Sequence, residues 1–457
     1  MLSPRFIHTA TLLCLGILVW APPAARGQDA PLVAPTEALS PAEQQKLFKL
    51  PPGFHIELVA SEPEIQKPMN LAFDAAGRLF VTQSIEYPFP AREGEPRDTI
   101  RVITDTNGDG VPDKVSKFAT GLNIPIGVLP LVNSEVLAYS IPRIERFSDT
   151  TGAGAADRRE PLFGAFGFDD THGMASSFNW WLDGWVYACH GFRNTSAVSG
   201  ADEQVMNLNS GNTYRFRPDG SRIEQFTWGQ VNPFGMAFDA LGNVFTADCH
   251  SRPIYMLLKG AYYPSFGKPH DGLGYGPEMI KHSHGSTGIC GLVYYDSSHF
   301  PAPYRDTVFI GNPVTGRINH DRLAPTGSTF EAVEQPDFLS CGDLWFRPVD
   351  MKLAPDGRSM SRTFITASSV TTKSISTIPV GIARRVGSGA SATEVKNGLL
   401  PGQARSPISH RPPFLSCLRH LAMRALWFAH WRHISWSPGP EMPTCRCFGS
   451  FCKASPL

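Results

Sequence analysis

A repeated hairpin pattern constrains the fold of this chain more than any other feature of its sequence. Residues 71–81 recur closely as residues 236–246 and more loosely as residues 177–187, and a further copy begins at residue 351. Each copy has alternating apolar residues on both sides of an Asp/Gly turn, where glycine supplies the positive φ of a tight hairpin. Repetition of this kind is typical of solenoids and propellers. The sequence therefore predicts a series of β-hairpin units.

The spacing of the turns indicates how many units there are. The glycines of the four copies are Gly77, Gly184, Gly242 and Gly357. Two of the three intervals between them are twice as long as the third, and degenerate copies at residues 134–139 and 305–310 fill the gaps. Six units of about 56 residues predict an all-β fold, a six-bladed β-propeller of four-stranded blades. Residues 54–59 supply an early strand that can close the ring against the last blade.

Composition agrees with this fold class and narrows the choice of partners. The 457 residues include 42 Gly and 40 Pro without a collagen-like period, which favours many turns between short strands. The formal net charge is +0, with no long run of either sign. Nucleic acid and anionic membrane surfaces are therefore not expected as main partners.

The first 27 residues have the features of a secretory signal. Arg5 and His8 precede the apolar run 10–20, and residues 25–27 form a small-residue cleavage site. About 12 apolar residues are too few to cross a bilayer, which needs roughly 20, although an uncleaved anchor is the alternative. No later stretch is as long, so we expect no transmembrane segment after signal removal and export to the periplasm, cell surface or medium.

The cysteines exclude two kinds of site. None of the nine lies in a C-x-x-C or C-x-x-C-H motif, so the sequence predicts neither a zinc ribbon nor a c-type haem. Four of them fall near predicted strand ends: Cys189, Cys249, Cys290 and Cys341. They are interpreted as buried free thiols, with a disulfide between Cys189 and Cys249 as the alternative.

The repeat pattern stops after Gly357. Residues 358–457 are rich in Ser, Arg, Pro, His and Trp and have no blade periodicity. Read one base out of frame, codons permitted for residues 358–374 can encode an aromatic and aliphatic stretch that continues the blade. We hypothesise that the reading frame slips near Gly357, so that the last blade is incomplete and the tail is disordered. A divergent natural tail is the alternative, and sequencing the gene across codons 350–365 distinguishes them.

The domain organisation that we predict has four parts. A signal peptide at residues 1–27 is followed by a leading segment with a short helix at residues 28–50. The propeller occupies residues 51–357 and the unrelated tail residues 358–457. Because a ring that lacks its last strands exposes an unpaired edge, we expect poor solubility.

Several stretches carry a resemblance to a known family. They are residues 49–54, 228–235, 260–270 and 345–350. They resemble the exported, membrane-bound dehydrogenases of Planctomycetes and Verrucomicrobia, whose TolB-like propeller is similar to that of soluble quinoprotein glucose/sorbosone dehydrogenases. The resemblance implies an oxidoreductase that acts on a sugar or polyol with pyrroloquinoline quinone as cofactor. Intact relatives carry a haem module as electron acceptor, which this chain lacks, and Val231 stands where those enzymes usually have Arg.

The loops that lead into the innermost strand of each blade converge at the mouth of a propeller, so polar residues there, together with those in the segments that leave the inner hairpin, are the candidate site. His172 precedes a repeat, as the base does in glucose/sorbosone dehydrogenases, and is the candidate general base. The candidate substrate or cofactor contacts are His190, Arg193, Asn232, His250, His284, Arg347 and Asp350. Alternatively, such residues only satisfy backbone groups of the inner strands.

Residues 105–113 have the spacing of an EF-type calcium loop. The predicted ligands are Asp105, Asn107, Asp109, the carbonyl of Val111 and Asp113. Position 12 of the loop is Ser116 rather than Glu, which indicates weak calcium binding. The alternative is an Asp/Gly-rich turn, which the degenerate copy at residues 149–157 resembles.

Two other classes of function remain open. One is a non-catalytic carbohydrate-binding or scaffold propeller, and the other is a calcium-dependent, lactonase-like hydrolase. Pyrroloquinoline quinone added to the protein separates them, because only the oxidoreductase then reduces a dye.

Overall fold

Antiparallel strands make up nearly all of the regular structure. The computed structural model describes residues 39–109, 111–266, 272–286 and 288–355, together with the backbone of residues 359–364 and 380–385. Within these residues the α-helical part is α1 (Pro41–Gln45), and a single 3-10 turn spans Ala302–Tyr304. The side chain of Ser40 caps α1 by accepting from the backbone N–H of Glu43, as the capping-box motif predicts.

The strands are numbered in chain order. They are β1 (Phe48–Lys49), β2 (Phe54–Ala60), β3 (Pro68–Phe73), β4 (Leu79–Gln83), β5 (Asp98–Thr104), β6 (Lys114–Leu122), β7 (Val128–Pro130), β8 (Glu135–Ser140), β9 (Arg143–Ser148), β10 (Arg158–Phe163), β11 (Ser176–Trp180), β12 (Val186–His190), β13 (Thr195–Ser199), β14 (Val205–Asn209), β15 (Asn212–Phe216), β16 (Ile223–Gly229), β17 (Asn232–Phe238), β18 (Val244–Cys249), β19 (Tyr255–Leu257), β20 (Tyr262–Tyr263), β21 (Leu292–Tyr295), β22 (Thr307–Asn312), β23 (Arg317–Thr326), β24 (Thr329–Cys341), β25 (Ser359–Phe364) and β26 (Val380–Arg385).

Successive strands pair with their neighbours in sequence, which produces a series of small sheets. The sheets of the described residues are β3-β4-β5-β6, β10-β9-β8-β7, β11-β12-β15-β16-β20, β17-β18-β19, β1-β24-β23-β22-β21 and β2-β26-β25, with β13-β14 as a separate hairpin. Within each sheet the pairs are antiparallel, except that β20 joins β16 in parallel.

Three of the predicted hairpins are confirmed, namely β3-β4, β11-β12 and β17-β18. Strands β3 and β4 pair in register up to Phe73 and Leu79, and Gly77 in the turn between them has a φ of +81°. The side chain of Asp74 accepts the backbone N–H groups of Ala76 and Arg78, at 3.0 and 2.9 Å. The hairpin β17-β18 has the same geometry, with Asp239 as the acceptor and Gly242 in the turn. The Asp/Gly pair is therefore needed for the turn itself.

The first strands of successive sheets are neighbours in space. Strand β7 lies between β3 and β11, and β17 lies between β11 and β21. After β21 the circuit continues through residues 349–351, because the N–H of Gly291 donates to the carbonyl of Val349 at 2.9 Å. The carboxylate of Asp350 then accepts the N–H of Leu71 in β3 at 2.9 Å. This cyclic order of sheets is the arrangement of a β-propeller, the predicted fold class, while the number of blades stays a prediction.

Aromatic and aliphatic side chains fill the spaces between sheets. One such cluster includes the fully buried Tyr139, Tyr214 and Phe216. In another, the ring of Phe54 in β2 packs edge-on against Phe300 at 4.8 Å between centroids. Strand β2 thereby contacts the β21–β24 sheet while it pairs with β26.

The structure bears on other predictions to different extents. No helix among the described residues is long and apolar enough to cross a membrane. The four cysteines of residues 39–355 are free thiols, which excludes the alternative of a disulfide between Cys189 and Cys249. In the predicted tail the backbones of β25 and β26 form strands. The predicted signal at residues 1–27, the turn at Gly357 and the rest of the tail lie outside the described residues.

Candidate functional site

A cavity of about 580 Å³ lies where the first strands of the sheets converge. Its walls come from loops that precede the first strands and from loops that follow the second strands, which is the position that the sequence predicts for a site. The lining residues with charged, aromatic or thiol side chains are Lys67, Tyr87, Asp170, His172, Phe192, Phe234, Cys249, His250, Cys290 and Arg347. Every sheet of the circuit but the β2-β26-β25 sheet contributes, and residues 347–349 complete the wall.

The charges of the lining favour an anionic ligand. Lys67 and Arg347 are cations, whereas Asp170 is the single carboxylate among the described lining residues. Burial lowers the pKa of Arg347, but an arginine stays protonated in proteins. Its Nη1 donates to the carbonyl of Pro313 at 2.6 Å, which fixes the guanidinium. With Tyr87 among the aromatic rings of the wall, the cavity suits a flat ligand that carries negative charge.

His172 is held by a carboxylate at the mouth of the cavity. Its Nδ1 lies 3.1 Å from Oδ1 of Asp170, and its backbone N–H donates to the same oxygen at 3.0 Å. The ring meets that of Tyr87 edge-on, with 5.3 Å between centroids, and the side chain is 55% exposed. Because Asp170 accepts from Nδ1, the Nε2 atom is left free of partners among the described residues and can accept a proton.

The loop that carries His172 is anchored on both sides. The hydroxyl of Thr171 donates to the carbonyl of Pro88 at 2.6 Å, in the loop after β4. The N–H of Asp170 donates to Oδ1 of the buried Asn194 at 3.0 Å. These bonds join the loops of two sheets, so the orientation of the His172–Asp170 pair depends on both.

Asn232 lines the cavity, but its oxygen is already engaged. Oδ1 accepts the N–H of Phe192 at 3.0 Å, which holds the loop after β12 against the start of β17. The adjacent Val231 is buried and lies outside the lining, and its N–H donates to the carboxylate of Asp248. The departure from Arg at this position therefore removes a cation without adding a new group to the cavity.

The thiols of the wall are not nucleophiles at neutral pH. Burial raises the pKa of Cys249 to about 12 and also raises that of Cys290. Both stay protonated, and covalent catalysis through a thiolate is disfavoured. His250, next to Cys249, adopts a φ of +77°, a strained backbone conformation that is enriched at functional sites.

Half of the eight predicted site residues, a set that includes the candidate base, lie elsewhere. His172, Asn232, His250 and Arg347 line the cavity, whereas four others do not: His190, Arg193, His284 and Asp350. His190 is fully buried, with Nδ1 2.9 Å from the carbonyl of Ser210 and Nε2 2.8 Å from the hydroxyl of Ser196. It thereby holds the hairpin β13-β14.

Each of the other three has a different place. Arg193 is exposed in the loop after β12, His284 pairs with Asp321, and Asp350 joins the two ends of the circuit. Sequence position before a first strand or after a second strand does not distinguish the side chains that face the cavity from those that face a neighbouring strand.

Sequence reasoning missed several lining residues. Lys67 lies just before β3, the first strand of the first repeat, so it has the same sequence signal as His172 before β11. Asp170 is two residues from His172, a spacing that could have suggested a pair. Tyr87 and Phe192 carry no such signal, because they lie in loops without a repeat pattern.

The predicted calcium loop lies outside the cavity, between β5 and β6. Oδ1 of Asp105 accepts the N–H of Gly108 at 2.7 Å, and the carboxylate of Asp113 accepts the hydroxyl of Thr106 at 2.7 Å. The bonds from Thr106 lower the pKa of Asp113. The carboxylates thus brace the turn, and whether they also bind calcium stays a prediction.

Fold and cavity together define the chain as an all-β propeller with a polar mouth. Residues 40–359 match the profile of one protein family, described as Domain of unknown function (DUF7133), and the chain belongs to that family. A search of curated proteins finds no match.

Solved structures share the architecture. An oxidoreductase of glucose dehydrogenase type from Thermus thermophilus aligns with a TM-score of 0.51 and 15% identity, over 72% of this chain and 100% of its own. The PQQ-bound form of an aldose sugar dehydrogenase from Streptomyces coelicolor aligns with a TM-score of 0.49 and 17% identity, over 74% and 100%. At 15% identity the likeness to the first of these structures is one of fold alone.

Proposed function

We propose that this chain binds a planar, carboxylate-bearing quinone in the cavity and oxidises a carbinol of a sugar or polyol. The observation that carries the proposal is the juxtaposition, in one cavity, of two cations with an imidazole oriented by a carboxylate. A cavity of about 580 Å³ also lies within the range of small-molecule sites.

The residues present fit such a group. Pyrroloquinoline quinone, when bound, supplies the two-electron acceptor that the side chains lack. Its carboxylates require cationic or amide partners, and Lys67 and Arg347 provide the cations on different parts of the wall. Arg347 is fixed by Pro313, so it is preorganised for a planar anion. The missing Arg at Val231 lowers the number of contacts but leaves these two in place.

The residues of the chain divide the remaining work. Nε2 of His172 takes the proton of the substrate hydroxyl, and the Asp170 carboxylate stabilises the imidazolium that results. Aliphatic side chains such as Ile126 and Ile289 displace water from the cavity wall. A lower local dielectric strengthens the interaction of the two cations with an anionic ligand.

The hydrolase alternative is less well supported. A calcium-dependent hydrolase needs several oxygen ligands around one ion. Among the described lining residues Asp170 is the single carboxylate, and it is engaged by His172. A binding-only propeller remains as an outcome of the experiment below.

The test is dye reduction by the full chain with added pyrroloquinoline quinone and a panel of aldoses and polyols. Wild type should reduce the dye, and His172→Ala should be slower by about 10²- to 10⁴-fold, the usual contribution of a general base. His55→Ala, on β2 and outside the cavity, is the matched control and should keep its rate.

Three results would contradict parts of this account. Quinone binding without any dye reduction would indicate a binding propeller. Full activity of His172→Ala would remove this histidine from the mechanism. A wild type that neither binds quinone nor reduces the dye would refute the proposed function.

A further inference from the structure

A second group of ligating side chains lies away from the cavity. His282 and His284 precede β21, and Asp321 lies in β23. One ligand atom from each lies within 4.8 Å of the others. None of the three side chains lines the cavity, so the group has no part in the proposed oxidation.

The two imidazoles share one carboxylate. Nε2 of His282 lies 2.7 Å from Oδ1 of Asp321, and Nε2 of His284 lies 2.7 Å from Oδ2. The ring centroids are 4.9 Å apart at an interplanar angle of 75°. Both histidines therefore direct Nε2 at the same carboxylate, each at a different oxygen.

Burial makes this arrangement costly without a cation. The side chain of Asp321 is 0% exposed and that of His284 is 1% exposed. A buried carboxylate needs a compensating positive charge, which either an imidazolium or a bound metal cation supplies. A divalent ion between the three groups would neutralise the carboxylate and take the lone pairs of both imidazoles.

The backbone holds the two histidines on one side of an extended segment. The carbonyl of Met279 accepts the N–H of Ala332 at 2.7 Å, and Lys281 pairs with Glu331 at 2.8 Å, so the segment runs beside β24. In extended chain, residues two apart point to the same side. The sheet and this segment thus place the ligands independently of any ion.

A further carboxylate stands behind His284. Oε1 of Glu334 lies 3.6 Å from Nδ1 of His284, on the side opposite Asp321. Glu334 is also the cross-strand partner of Asp321 in the β23-β24 pair. A carboxylate hydrogen-bonded to the second ring nitrogen is the usual support of a metal-bound histidine, because it fixes the tautomer and raises the basicity of the ligand. The exposed side chain of Glu334 would take this role by a small rotation that shortens the 3.6 Å separation to a hydrogen bond.

We propose that Nε2 of His282, Nε2 of His284 and the carboxylate of Asp321 bind a divalent transition-metal ion of the zinc type. Metal–ligand distances of about 2.0–2.2 Å require nitrogen and oxygen to separate to roughly 3.3 Å in a tetrahedral site, a small rotation of each side chain. His282 is 20% exposed and gives the ion access to solvent and a water as fourth ligand. Imidazole ligands favour zinc over calcium or magnesium.

The test is a titration of the full chain with Zn²⁺ and, separately, with Ca²⁺, followed by bound-metal analysis. Because thiols are zinc ligands in general, the readout is the difference between variants. His282→Ala should bind one equivalent of zinc fewer than wild type, and Ca²⁺ should not compete. Glu334→Gln should weaken the same site by about 10- to 100-fold.

The controls keep the proposal refutable if a variant is unstable. Glu334 is 54% exposed, so its substitution leaves the fold intact, and Asp296→Asn, at an exposed position outside this group, should bind zinc as wild type does. Circular dichroism reports whether His282→Ala is folded. Equal zinc content and affinity in wild type, His282→Ala and Glu334→Gln would overturn the assignment.

Discussion

At the scale of single residues, Asp350 joins the two ends of the described circuit. Its buried carboxylate accepts the N–H of Leu71 at 2.9 Å and the side-chain N–H of Asn70 at 3.1 Å, both in β3. The backbone carbonyl of the neighbouring Val349 accepts a hydrogen bond from the N–H of Gly291, just before β21. One carboxylate therefore connects the first sheet to the segment that follows the β21–β24 sheet.

Replacing Asp350 by Ala should destabilise the fold by about 1–3 kcal/mol, because the N–H of Leu71 is then buried without an acceptor. Urea unfolding of the full chain, followed by fluorescence, measures the change. Asp296→Ala, at an exposed position, is the control and should be nearly neutral. An Asp350→Ala protein as stable as this control would show that the contact does not hold the ring.

The cavity residues were predictable only where their position carried a local signal. His172 precedes the first strand β11 and Arg347 precedes the repeat predicted at residue 351, and these positions carry the signal. His190 also lies at the end of an inner hairpin, yet it is buried and its ring nitrogens are hydrogen-bonded to Ser196 and Ser210. Which way a side chain faces depends on the neighbouring sheet, and the sequence of one repeat does not contain that information.

At the scale of elements, two outer hairpins use the same turn chemistry. Residues 149–157, between β9 and β10, repeat the bonds of residues 105–113, with Gly152 and Thr150 donating to the two aspartates. The copy achieves this with Thr and Ala at the positions of Asn107 and Asp109. The turn of the copy therefore forms without Asn and Asp at these positions, whereas in residues 105–113 the oxygens of Asn107 and Asp109 accept N–H groups of the loop, at 2.9 and 2.7 Å.

If these extra oxygens bind calcium, the heat of binding should depend on them. Calorimetric titration of wild type with Ca²⁺ should show a weak site, and Asp109→Ala should abolish its heat, because one of few charged ligands is lost. Thr151→Ala, in the second loop, is the control and should change nothing. Absence of heat in the wild type would leave the loop as a turn alone.

Hairpins were the most predictable elements because alternation and turn chemistry are local. Irregular pairing was not predicted. The register shifts between Pro68 and Asn70 in β3 and between Pro233 and Met236 in β17 lie near the cavity end of the first strands. Such bulges re-aim side chains toward a site, and they arise from contacts between sheets.

At the scale of the whole molecule, the fold class followed from repetition alone. Successive units can bury their apolar faces only against one another, and closure of the series removes most free edges. The cavity forms only when the ring closes, because its lining residues come from loops that are distant in sequence. The order of sheets was therefore predictable, whereas the composition of the cavity was predictable only in part.

The most direct test of the proposed cofactor site is an equilibrium titration of the full chain with pyrroloquinoline quinone. Wild type should bind one equivalent, and Lys67→Gln and Arg347→Gln should each weaken binding by about tenfold or more, as expected for the loss of a charged hydrogen-bond partner. Lys117→Gln, exposed on β6 and outside the cavity, should bind as wild type does. Quinone affinity that is unmeasurable in wild type, or equal in all four proteins, would contradict the assignment of the cavity.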